Sequence, residues 1–183
     1  MVEQPIATGS PSMRIASARE TIAEPDDVTT VTSSPRPHGK ALTVSEFGNK
    51  CESLIKSKRT WEKKTAQDVR VVVETFVGIL AEHGVSDASE IEQFHVGRLR
   101  EHFDEIPARY GQSARMRQLS PRQLRDAASK LVDVAKQRNQ PPPQIGLGVN
   151  TIRKHLGNLA EFFRYLRGQG YALRELTLEG LRS

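Results

Sequence analysis

From Leu42 onward the apolar residues of this 183-residue chain recur three or four positions apart, and strong breakers cut the pattern into five pieces. A period near 3.6 gathers such residues on one side of a helix, so each piece reads as an amphipathic helix with a face to bury. Thr43, with Glu46 three positions on, reads as the capping box of a first helix to about Ser57, with Val44, Phe47, Cys51, Leu54 and Ile55 inward. After Lys58-Arg59-Thr60-Trp61 a long second helix runs to about His83 and ends at Gly84. Trp61, Val69, Val72, Val73, Phe76, Ile79 and Leu80 mark its buried side; Lys63, Gln67, Arg70 and Glu74 mark the other. A third helix, about Gln93 to Ile106, carries Val96, Leu99 and Phe103 inward and stops at Pro107.

A basic loop with Arg109, Arg115 and Arg117 leads to Ser120-Pro121, a cap with proline in the first turn, and Gln123 completes a capping box. The fourth helix, to about Asn139, has Leu124, Ala127, Ala128, Leu131 and Ala135 as its expected core stripe. Pro141-Pro-Pro143 and Gly146-Leu-Gly148 form a connection. The fifth helix is expected to start after Asn150 as cap and run to about Arg167, with Ile152, Leu156, Leu159, Phe163 and Leu166 inward. No stretch alternates with the two-residue period of a strand, so the fold class is all-α, a bundle of four to five helices.

Residues 1–40 differ in kind. They are rich in Ser, Thr and Pro, hold no apolar period, and close on Pro35-Arg-Pro37-His-Gly39. Such a segment buries too little apolar surface to offset its ordering entropy, so a disordered tail is expected. The organisation read from the sequence is a tail at 1–40, a helical domain at 41–173 and a linker at 174–183. No apolar run nears the roughly 18 residues of a membrane span, and no basic-then-apolar signal opens the chain. The single cysteine, Cys51, has no internal partner, which fits a reducing, cytoplasmic setting.

Charge points to a partner. The chain has net charge +5; the tail's Arg14, Arg19, Arg36 and Lys40 stand against five acids, so the helical part carries +6. An excess of this sign favours an anion, nucleic acid above all. Two clusters concentrate it. Lys58, Arg59, Thr60, Lys63 and Lys64 stand at the entrance to the second helix, cations and a small hydroxyl suited to a phosphate backbone. Thr151, Arg153, Lys154 and Asn158 lie off the apolar stripe of the fifth helix, where a helix start, two cations and an amide suit phosphates and base edges in a major groove. The opposing reading is a pair of solvated charge runs.

Little else carries chemistry. The histidines His38, His83, His95, His102 and His155 include no pair at the i, i+4 spacing of a zinc helix. Gly146-Leu-Gly148 lacks the strand and lysine of a phosphate loop. No cofactor, metal or catalytic set is expected. Two other functions fit the same features: a helical adaptor whose basic faces bind an acidic protein, and a stand-alone DNA-binding regulator. The loops are too long for the tight turn of a helix-turn-helix.

In order and spacing, the region from about Leu42 to Leu173 resembles the core-binding, SAM-like domain of tyrosine recombinases, the phage-integrase family. The matching stretches are Leu42-Thr-Val-Ser-Glu-Phe47, Thr60-Trp61 through Phe76, Ile91-Glu-Gln-Phe-His-Val96 with Leu99 and Phe103-Asp-Glu-Ile-Pro107, and Gly148-Val-Asn-Thr-Ile-Arg-Lys-His-Leu156 with Leu159, Phe162-Phe163 and Gly170. The resemblance implies half of a clamp on duplex DNA beside a strand-exchange site, serving DNA integration or recombination. Its implied partners are duplex DNA, a catalytic domain of the same recombinase, and a higher-order assembly on DNA. The implied contacts are the two clusters already described. The family's catalytic arginine, lysine, His-x-x-Arg and tyrosine belong to a domain that would follow Ser183, so this chain is expected not to be an enzyme. His95-Val-Gly-Arg98 fits His-x-x-Arg but stands upstream, in the third helix, and is read as coincidence.

Overall fold

The structure is a computed structural model that describes residues 38–178. The expected disordered tail therefore lies almost wholly outside the described residues, as do residues 179–183 of the expected linker. Five helices carry the described part: α1 (Phe47–Ser57), α2 (Lys63–Glu82), α3 (Gln93–Glu105), α4 (Pro121–Gln137) and α5 (Val149–Gly168). Short 3₁₀ turns stand at Val44–Glu46, Ala88–Glu90, Tyr110–Gln112 and Met116–Gln118. Among the described residues there is no strand, only isolated bridges at Lys40–Tyr171, Thr43–Asp87 and Pro107–Ile145. The all-α class read from the apolar period is the class observed.

Local chemistry sets the boundaries. Thr43 N donates to Glu46 Oε2 at 2.9 Å, half of the expected box, and the chain tightens into a 3₁₀ turn before α1 proper. Gly84 takes the left-handed φ of +70° that ends α2. Ser120 N donates to Gln123 Oε1 at 2.9 Å and Gln123 N returns to Ser120 Oγ at 3.3 Å, so the α4 cap is reciprocal.

α2 and α5 form the central pair, and α1 packs across both. Phe47 meets Phe162 and Phe163 edge-on at 5.4 and 6.4 Å, and Phe163 meets Phe76 at 5.7 Å. Each such pair adds about 0.5–1.5 kcal/mol beyond its area burial. Val69, Val72, Phe76, Leu80, Val96, Leu99, Phe103, Leu156, Leu159 and Leu166 complete a continuous core.

The structure corrects two expectations. Leu131 is 38% exposed and Ala127 only half-buried, so the expected core stripe of α4 is broken. The helix docks through Pro121, Leu124 and Ala128, and Pro121 lies so close to Gly78 of α2 that a Cβ there would come within 2.6 Å of its ring. Beyond Ala128 the helix passes an open groove of about 500 Å³ lined by Pro107, Met116, Leu131 and Pro143, which leaves Leu131 without a packed partner layer. Secondly, Asn150 is not the cap of α5. Thr151 N and Ile152 N both donate to Gly148 O, at 2.8 and 3.1 Å, so the helix closes earlier and Asn150 falls in its first turn. Residues 174–178, the described start of the expected linker, lie against the start of α3. Thr177 N donates to Gln93 Oε1 at 2.8 Å, Arg174 pairs with Glu92 at 2.9 Å, and Leu178 is buried.

Candidate nucleic-acid interface

The two basic clusters, about ninety residues apart in sequence, adjoin in space. Lys58 Nζ lies 2.7 Å from Glu161 Oε1, and Lys154 pairs with Asp68. These contacts run in opposite order, so the approach to α2 and α2 itself pass antiparallel to α5. Lys154, Asn158 and Glu161 form one stripe of α5 by their i, i+4, i+7 spacing, and Lys64 and Asp68 form the facing stripe of α2. The seam between the two helices is therefore the floor of the candidate surface.

Each expected residue has a definite place. Lys58, Arg59 and Thr60 do not sit on a helix: Lys58 is the C-cap of α1, and the chain turns through Trp61 N donating to Lys58 O at 3.0 Å before α2 begins at Lys63. A tight turn separates the two helices, so these three residues precede α2, as the expected start after Trp61 implies. Trp61 is half-buried against the core, with Lys58 Nζ 5.9 Å from its ring centre, so it packs and is not displayed for base stacking. Arg59, Lys63, Lys64, Thr151 and Arg153 are exposed. Among the described residues the four cations of that set make no ion pair. Asn158 departs from its expected outward position. It is half-buried in the seam, and its amide nitrogen is buried with no hydrogen-bond partner among the described residues.

Two carboxylates were not anticipated. Asp68 and Glu161 punctuate the cationic surface and hold Lys154 and Lys58 respectively; Arg164 also pairs with Glu161. The hydrogen bond from Lys58 pulls the Glu161 carboxyl below its ordinary range, burial opposes this, and the Lys58 and Arg164 charges assist. The spacing of neither acid flags these partners, because the pairs span 86 and about 100 residues of sequence.

Both helix starts are electrostatically unusual. Neither α2 nor α5 has a side-chain cap or an acid in its first turn; α2 opens on two lysines behind Glu62 as its N-cap residue, while α5 opens behind Gly148 with no acid at all. A helix start carries roughly half a positive charge, so cations there forgo about 0.3–1 kcal/mol each that an anion would restore.

The histidines of α3 and α5 make contacts within the fold. His155 is buried against Phe103, ring centres 5.2 Å apart, and burial lowers its pKa. His95 Nδ1 accepts from Glu92 N at 2.9 Å and serves the start of α3, while Arg98 pairs with Glu101. In the His95-Val-Gly-Arg98 stretch the histidine thus makes a capping contact and the arginine a surface pair. Among the described residues no three His, Cys, Asp or Glu side chains converge as a metal set, and no helix is long and apolar enough to cross a membrane. No family model, curated protein or solved structure matches the chain.

Proposed function

We propose that this chain binds duplex DNA across the α2–α5 seam, in the manner of the recombinase core-binding domain that its sequence resembles. The observation that carries the reading is the meeting of the two cationic clusters on one surface, linked by Lys58–Glu161 and Lys154–Asp68. Arg59, Lys63, Lys64 and Arg153 neutralise phosphates, and the uncapped start of α5 presents its first amides to another. An α-helix fits the major groove, which places Thr151 and Arg153 near base edges with the backbone contacts on either side. Asn158, half-buried between α2 and α5, is not counted among the phosphate contacts on this reading. On this reading strand-exchange chemistry belongs to a companion catalytic domain, and the chain supplies grip and position during integration or recombination.

Titration of a random-sequence duplex across a salt series tests this. Binding weakens steeply with salt, and Arg59→Gln/Lys63→Gln/Lys64→Gln/Arg153→Gln flattens the plot of log K against log salt by about 3–4, from about 0.9 per phosphate contact. A slope unchanged in that variant, or no binding at low salt, overturns the proposal.

A further inference from the structure

We infer that the loop between α3 and α4 is a second phosphate-binding surface for the same duplex, with Arg109, Arg115 and Arg117 on its backbone. This rests on the duplex-DNA reading of the seam. The sequence from Ile106 to Arg125 holds five arginines and no acid, a charge equal to that of the whole chain. Arg125 is neutralised within the fold by Glu82, at 2.5 Å. Arg109, Arg115 and Arg117 are exposed and make no ion pair among the described residues. Like charges without counter-ions repel one another, and an external anion relieves that cost.

The loop is built rather than slack. Its two 3₁₀ turns are closed by Ser113 N donating to Tyr110 O at 3.3 Å and Leu119 N to Met116 O at 3.2 Å. Tyr110, Met116 and Leu119 pack against the core, so the arginines on either side of Met116 are held outward on a fixed scaffold. Side chains displayed in this way lose less freedom on binding than those of a mobile segment. Arginine also grips phosphate through two parallel N–H bonds, which lysine does not do.

The loop adjoins the connection that leads into α5. A second acid-free stretch, Val134 to Ala160, includes the approach to α5. The two stretches pair: Pro107 bridges Ile145, Ala108 N donates to Gln144 O at 3.0 Å, and Gly146 N to Ile106 O at 2.8 Å. Leu147 N then donates to Phe103 O at 2.8 Å, and Phe103 lies on His155, next to Lys154. On the inferred reading, a duplex that extends past the start of α5 meets the arginine loop.

The full chain is titrated with a random duplex across a salt series, beside Arg109→Gln, Arg115→Gln and Arg117→Gln singly and together. The expected result is a slope reduced by about 0.9 per substitution, about 2–3 in the triple, with the same loss on every duplex sequence. The single variants remove one charge each, so the trend survives should the triple fold poorly. A parent that binds DNA while all loop variants keep its slope overturns the loop surface and leaves the seam standing. A parent that does not bind DNA at low salt overturns both.

Discussion

Asp68→Asn should tighten DNA binding, an unusual outcome for the loss of an ion pair. Asp68 sits on the α2 side of the seam and occupies Lys154 of α5; their side chains are 26% and 48% exposed. A pair open to solvent to that degree contributes under about 1 kcal/mol, and asparagine keeps the shape and a hydrogen-bond acceptor, so stability should change little. The functional effect is larger. Freed from its carboxylate, Lys154 can neutralise one further phosphate, which adds about 0.9 to the salt slope and raises affinity about eightfold at 0.1 M salt. Fluorescence anisotropy at several salt concentrations reads both quantities, with thermal unfolding run in parallel. Glu161→Gln, which frees Lys58 and Arg164, should act in the same direction. Asp133→Asn, in the acidic groove beside α4 with Asp104 and Asp126, should leave the slope unchanged. Unchanged or weaker binding by a folded Asp68→Asn chain would refute the reasoning, because the seam would then not be where phosphates lie.

Three further outcomes test the fold. Gly157→Ala in α5 meets nothing within 4 Å and should stabilise by about 0.5–1 kcal/mol, while Gly78→Ala in α2 drives a methyl into the Pro121 ring and should destabilise by about 1–3 kcal/mol; thermal melts separate the signs. Leu124→Ala, at a site only 5% exposed, should cost about 2–4 kcal/mol and Leu131→Ala under about 1 kcal/mol, read as urea midpoints. Burial pushes the His102 imidazole down to about 4 and lowers His95 and His155 as well, so the unfolded chain binds more protons than the folded one as pH falls. Stability should therefore be full above about pH 6.5 and drop towards pH 4, by about 3 kcal/mol from His102 alone, and urea unfolding of His102→Gln across that window should show a flatter profile.

The helices were legible because their apolar periods are long and their breakers strong: Phe47, Phe76, Phe103 and Phe163 all lie where the period puts them. Leu131 was misjudged because an amphipathic pattern states which side is apolar, not whether a neighbour reaches it. Asn150 was misjudged as a cap because the backbone of Gly148 closes the first turn without any side chain. Lys63, Lys64 and Arg153 were legible as exposed cations, since outward placement follows from helical spacing, and Arg59 was legible as part of the basic step between two helices. Their counter-ions were not. Asp68 and Glu161 lie far along the chain from the lysines they hold, and only tertiary packing brings each pair together. The same packing turns Asn158 inward, where the wheel alone places it out. The acid-free run from Ile106 to Arg125 was visible in the sequence, but its nearness to α5 depends on the Pro107–Ile145 bridge.

The most direct measurement is amide chemical-shift mapping of the full chain during titration with a short duplex at low salt. The account predicts that the largest changes fall on residues 58–68, 109–117 and 149–161, while the outer part of α4 near Asp133 stays still. Changes confined to the groove of Asp104, Asp126 and Asp133, or no changes at all, would contradict the claim that the α2–α5 seam receives DNA.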